Sequence, residues 1–173
     1  FAIIMELKLL IEHLRHGGQI ALKSDQQFAQ GVIATSANPI VSKDLGFTTN
    51  SWMCYMASDV MLDNFVGHLP EVGYELLEAS ENSVDIETQL KGRIHDDFAT
   101  KEGFVKIRIA KSKALARLIH QLRSPLAVKN MEERDFELVD KTHPCIQVEN
   151  EDLRELDVIR FHPDASFKLY RKK

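Results

Sequence analysis

The residues with the most legible chemistry lie between Phe104 and Arg123. Phe104-Val105-Lys106-Ile107-Arg108-Ile109 alternates strictly. That pattern predicts a strand with Phe104, Lys106 and Arg108 on one face and Val105, Ile107 and Ile109 on the other. Ser112 follows as an N-cap, and Leu115, Leu118, Ile119 and Leu122 recur at helical spacing, which predicts a helix over 113–123. A helix that begins directly after a strand presents unpaired backbone N–H groups and a positive dipole end, and both suit phosphate. Lys111 and Lys113 flank that start. Cations there oppose the dipole, so their placement points to an anionic partner. Lys23 ends an earlier predicted strand over 19–23 and is expected beside them. Such a cluster serves a phosphate-bearing ligand, a nucleotide or RNA, whose binding weakens with salt.

Other reactive types are sparse. His13 and His16 share a helix face, but no third ligand lies nearby in sequence, so no metal site is assigned. His95-Asp96-Asp97 reads as a solvated turn. No nucleophile elbow, zinc-binding HExxH, P-loop or dinucleotide fingerprint occurs. The phenylalanines fall at apolar phases and read as core. No residue is assigned a catalytic role. Cys54 and Cys145 stand far apart and read as reduced thiols.

The elements that must position the basic strand form an alternating series. Helices are predicted over 4–15, 59–68 (capped by Ser58), 70–78 and 113–123, with a helical turn over 151–156. Strands are predicted over 19–23, 52–57, 83–90, 104–109, 126–128, 135–139, 146–148, 158–161 and 167–170. Residues 31–49 and 92–103 read as loops. The expectation is one α/β domain over 1–173, a twisted mixed sheet with helices packed on it. The strands ending at Leu22 and Ile109 are expected close together.

Composition agrees with a globular chain: 173 residues, 44% hydrophobic and 28% charged, which excludes disorder as a class. The net charge of −4 argues against a globally basic nucleic-acid binder. It conceals an asymmetry. Residues 101–130 hold a block of lysines and arginines with Glu102 as their one acid, whereas 131–157 is mostly acidic. The plainest reading of these blocks is two solvated faces that attract each other. No apolar run is long enough to span a membrane, and residues 1–5 do not make a signal peptide, so the expected location is cytoplasmic.

Three landmarks resemble a known family. Leu14-Arg15-His16-Gly17-Gly18-Gln19-Ile20-Ala21-Leu22-Lys23-Ser24-Asp25-Gln26 is similar to the helix, Gly-Gly, strand and Pro-Thr-Asp-Thr turn of the YrdC/YciO family, the fold of threonylcarbamoyl-AMP synthases. Trp52 to Ser58 resembles that family's next strand and helix pair. Arg108, the Ala114-Leu115-Ala116 helix and Pro125-Leu126 resemble its Arg-ended strand, Ala/Leu helix and Pro-Leu strand at the family's spacing. The resemblance covers about residues 4 to 170 and implies the same α/β fold.

The family's functional motifs are degenerate here. Pro-Thr-Asp-Thr is replaced by Lys23-Ser24-Asp25-Gln26. The Lys-x-Arg motif is missing near Phe47 to Thr49. Pro125-Leu126 runs into Lys129-Asn130-Met131-Glu132 in place of Thr-Ser-Ala-Asn, and the Pro-Gly-Pro-Val-Thr turn is Glu81-Asn82-Ser83-Val84-Asp85. Thr35-Ser36-Ala37-Asn38 spells the missing signature at a distant position. Ser166 stands near the family's late Ser-Thr. The ligand-binding candidates are therefore Lys23, Ser24, Asp25, Lys106, Arg108, Lys113, Lys129 and Ser166. The sequence itself establishes no cofactor; ATP is the one the resemblance implies.

Adenylate chemistry gathers several anions, which need converging cations and backbone donors in a dry site. With most of those groups replaced, the expectation is a YrdC-like nucleotide- or RNA-binding domain, of the tRNA-modification and translation-factor class, without full synthase activity. The alternatives are an active threonylcarbamoyl-AMP synthase with a rearranged site and a structural α/β interaction domain. The sequence does not give an oligomeric state.

Overall fold

A computed structural model describes residues 3–4, 6–25, 27–36, 52–79, 84–131 and 144–171. The described strands are β1 (Ile3–Ile4), β2 (Ile20–Ser24), β3 (Gln27–Ile33), β4 (Met53–Met56), β5 (Val84–Gln89), β6 (Phe104–Ile109), β7 (Leu126–Met131), β8 (Pro144–Gln147), β9 (Asp157–Phe161) and β10 (Phe167–Tyr170). The helices are α1 (Leu7–Arg15), α2 (Leu62–Phe65), α3 (Glu71–Glu78) and α4 (Lys113–Leu122). β6 and α4 form as their periods require, and Ser112 Oγ accepts the Leu115 N–H at 3.3 Å.

The departures have tertiary causes. Ile4 belongs to β1, which pairs with β8, so α1 begins only at Leu7. The predicted 59–68 helix is a 3₁₀ turn followed by one α-turn. Ser58 makes no capping hydrogen bond, and the helix ends where Val66 bridges to Leu90 and Gly67 N–H bonds the Gln89 carbonyl. β3 occupies residues placed between a polar turn and a loop. Its mid-strand Gly31 hides the alternation, and a Cβ there would stand 2.9 Å from Leu22 Cδ1. β7 continues to Met131, beyond the predicted end. Residues 151–156 form no helical turn. The 135–139 prediction lies outside the described residues.

One ten-stranded sheet results among the described residues, in the order β1-β8-β2-β3-β7-β4-β6-β5-β9-β10. Pairing is parallel at β1/β8, β8/β2, β4/β6 and β5/β9 and antiparallel elsewhere. Its register sorts side chains onto two faces, because paired residues share a face and successive ones alternate. Val32, Cys54, Met56, Ile86, Val105, Ile107 and Ala127 build one core beneath α2 and α3. Ile20, Leu22, Ala29, Met53, Tyr55, Leu126 and Val128 build the other beneath α1 and α4, with Val148 and Leu153.

Val148 and Leu153 belong to a crossing segment. β8 lies beside β2 and β9 beside β5, so residues 148–156 pass over every strand between them. We call this segment the strap. It covers the part of the second face that α1 and α4 leave open.

Candidate active site beneath the strap

Strict alternation in β6 turns Arg108 onto the strap-covered face. Register places Tyr55 beside it, and β5 brings Asp85 across from it. Arg108 is 8% exposed and Asp85 3%. Arg108 Nε donates to Asp85 Oδ1 at 2.7 Å, and Nη2 donates to Oδ2 at 3.0 Å. Nη1 donates to the Tyr55 hydroxyl at 3.2 Å and to the Asp152 carbonyl, while Nη2 also donates to the Arg154 carbonyl at 3.2 Å. A guanidinium has five N–H donors, and the chain itself takes all five. Burial is the largest single influence and works against its charge, but the hydrogen bonds and charges of Asp85 and Tyr55 together outweigh it and hold Arg108 protonated.

The start of α4 is engaged in the same way. Glu151 is 7% exposed, and its Oε1 accepts the N–H groups of Lys111 and Ser112, the latter at 2.6 Å. Its Oε2 accepts the Tyr55 hydroxyl at 3.2 Å, and its carbonyl accepts Ser24 Oγ at 2.9 Å. Burial keeps the Tyr55 phenol neutral and donating. An anion does sit where the sequence calls for one, and it is the protein's own carboxylate. The ends of β2 and β6 are not sheet neighbours, since β3, β7 and β4 intervene; Glu151 bonds Ser24 at the end of β2 and the Lys111 and Ser112 amides just beyond the end of β6.

Burial pushes the Glu151 carboxyl up, against the pull of the Ser112 and Lys111 amides, Tyr55 and Arg108. A raised carboxyl binds its proton more tightly folded than unfolded. Its contribution to stability is therefore full below the ordinary glutamate range of about 4.3 and declines as pH rises through the folded value. The side-chain carbonyl carbon of Glu151 should titrate above those of exposed glutamates by NMR, and Glu151→Gln should remove that limb from the stability profile. A midpoint at or below the exposed glutamates would contradict this.

The other candidates scatter. Ser24 is buried and belongs to the network through Glu151. Lys106 is half-buried on the Arg108 face, in register with Glu87. Lys113 is exposed at the start of α4, and Asp25 is exposed at the β2–β3 turn with φ of 48°. Lys23 and Lys129 project from the opposite face, so Lys23 is not beside Arg108. Lys23 Nζ stands 5.7 Å from the Phe28 ring and Lys129 Nζ 5.7 Å from the Trp52 ring. Burial draws the Lys129 ammonium down to about 8. Ser166 is exposed in the β9–β10 turn and bonds Asp164. Thr35 Oγ1 lies 3.4 Å from Ser124 Oγ, so the displaced Thr-Ser begins beside the Pro125 corner; Ala37 and Asn38 lie outside the described residues, as do 47–49 and 81–83.

Asp85, Tyr55 and Glu151 escape a reading of the sequence. For Glu151 the one signal is the acidic 131–157 stretch that follows the basic block. Beneath the strap the described residues leave about 10 Å³, between Met53, Asp85, Lys106, Val128, Asn130 and 153–155. That is room for one water. Among the described residues, no three His, Cys, Asp or Glu side chains converge as a metal site would require. No described helix is long and apolar enough to cross a membrane.

No family model and no curated protein matches the chain by sequence. Solved structures do match it. A doubly substituted form of P. abyssi Sua5 superposes with a TM-score of 0.72 at 16% identity, covering 92% of this chain and 57% of that one. P. abyssi Sua5 complexed with L-threonine gives 0.71 at 16% identity, covering 90% and 50%. E. coli YciO gives 0.68 at 12% identity, covering 96% and 88%. The chain thus spans about half the length of the Sua5 chains it matches and most of YciO. Few residues are shared, but the backbones superpose over nine-tenths or more of this chain, and it has the YrdC-like α/β fold of Sua5 and YciO.

Proposed function

We propose that this chain is a nucleotide- or RNA-binding domain of the YrdC-like fold, allied to tRNA threonylcarbamoyladenosine synthesis, that does not itself carry out the synthase reaction. One observation carries the reading. The buried arginine and the helix start, which would meet an anionic substrate, are engaged by Asp85 and Glu151 of the same chain. A synthase must hold triphosphate, bicarbonate and a threonine carboxylate on groups free to receive them. Here a ligand would first have to displace the strap. Support for a phosphate-bearing ligand comes from the outer face of α4, where Lys113, Arg117, His120 and Arg123 are exposed and no acid occurs from Lys111 to Asn130. Such a face attracts phosphate through its local field whatever the net charge.

Purified protein given ATP, threonine and bicarbonate should release no pyrophosphate. Titration with ATP or a short duplex RNA should move amide resonances along 106–123, with shifts that shrink as salt rises. Threonine-dependent pyrophosphate release would refute the non-catalytic reading. Unmoved resonances with both ligands would leave only an interaction domain.

A further inference from the structure

The basic face of α4 ends in a second, roomier concavity. A cavity of about 360 Å³ opens between Met61, Asn64, Phe65, Arg93, His120 and Arg123. That volume lies within the range of small-molecule sites, whereas the space under the strap does not. Among the described residues its lining holds two arginines, a histidine and an amide over an apolar floor, and no carboxylate.

Both arginines stand on fixed corners. Arg93 has φ of 67° and Arg123 φ of 59°, in the left-handed region where glycine is the least costly residue. Each corner is held from both sides. Around Arg93, Lys91 Nζ donates to the Asp63 carbonyl at 2.8 Å, Ile94 is buried, and His95 N–H bonds the Ala34 carbonyl at 2.8 Å. Around Arg123, its own N–H closes α4 on the Ile119 carbonyl at 3.0 Å, and Ser124 is buried and bonds the Pro125 carbonyl at 3.0 Å. Two arginines on held backbone corners thereby line one cavity, and its described wall carries no acid. The carboxylate of nearby Asp63 accepts the Tyr74 hydroxyl at 3.0 Å.

We propose that this pocket binds a phosphate group, with Arg93 and Arg123 as its paired cationic donors and Asn64 and His120 as polar wall. Guanidinium forks match phosphate oxygens bidentately, and two forks on separate rigid corners accept one multiply charged group. Met61 and Phe65 supply an apolar floor for what the phosphate carries. The phosphate belongs either to a free nucleotide or to an RNA backbone lying along Lys113 and Arg117. The inference rests on the nucleotide- or RNA-binding reading and places its ligand at this end of α4, away from Arg108.

The test uses ADP and a single-stranded RNA oligonucleotide as probes, with affinity by calorimetry and amide shifts by NMR. The Arg93→Gly/Arg123→Gly variant removes both cations and relaxes both left-handed corners, so the fold should persist. Binding of whichever probe the wild type takes should weaken at least about tenfold, as for a central arginine pair. Wild-type shifts should centre on 91–95 and 119–124. With ADP as ligand, Lys113→Ala should weaken binding far less than the double glycine variant does. With RNA, it should weaken binding modestly and lower the salt slope by about 0.7. Equal binding by the double glycine variant would overturn the pocket while leaving the broader reading intact. Failure of wild-type protein to bind either probe would overturn both.

Discussion

Arg108→Ala is expected to destabilise the folded chain by about 3–5 kcal/mol, the cost typical of removing one partner from a buried ion pair. The substitution leaves the Asp85 carboxylate in a site 3% exposed, with its bidentate partner gone. It also strips the Asp152 and Arg154 carbonyls of their guanidinium donor, so the strap loses its central anchor. Urea denaturation measures the loss. Hydrogen exchange should show 152–156 opening before the strands beneath. The damage arises from the orphaned charge, and a double variant separates that from simple loss of volume. Arg108→Met with Asp85→Leu removes both charges and keeps apolar bulk, so it should recover most of the stability. A loss below about 1 kcal/mol for Arg108→Ala would rank the pair with surface salt bridges and contradict its structural role.

Glu151→Ala is the second large effect. Three donors lose their acceptor together: the Lys111 and Ser112 amides and the Tyr55 hydroxyl. A loss of about 2–3 kcal/mol follows if water reaches only some of them. The variant also frees the start of α4, with Lys111 and Lys113 still flanking it. Inorganic phosphate should then protect the variant against urea more than it protects the wild type, because the vacated amides and dipole can receive it. Glu151→Gln keeps an acceptor oxygen without the charge and should fall between wild type and alanine in stability. Wild-type stability in Glu151→Ala, or identical phosphate protection in both proteins, would show that the carboxylate does not hold this helix end.

These two effects divide what was legible from what was not. β6 could be read residue by residue because alternation over Phe104–Ile109 is a local property: each side chain's face follows from the pleat alone. α4 could be read for the same reason, from a 3.6-residue period and a serine that caps its own helix. The resemblance at Gly17-Gly18 and from Arg108 to Pro125 carried the fold. It did so because short-range turns and periods persist where most identities have been lost. The need for an anion at 111–113 was also local, written in two lysines at an unfavourable helix end.

The anion's identity was not local. Glu151 lies about forty residues away in sequence, in a segment with no helical or strand period, and only the crossing from β8 to β9 lays it over α4. The strap takes its path from its two end strands, and its own residues record little of it. Lys23 and Lys129 fell on the wrong face of the sheet for the same kind of reason. A side chain's face is fixed relative to its own strand neighbours, but which core that face meets depends on partners distant in sequence. The sequence by itself determined the strand, the helix and the charge they carry. The tertiary structure decided that the chain's own carboxylates answer that charge, and burial is the physical reason: a guanidinium and two amides withdrawn from water must find partners inside the chain.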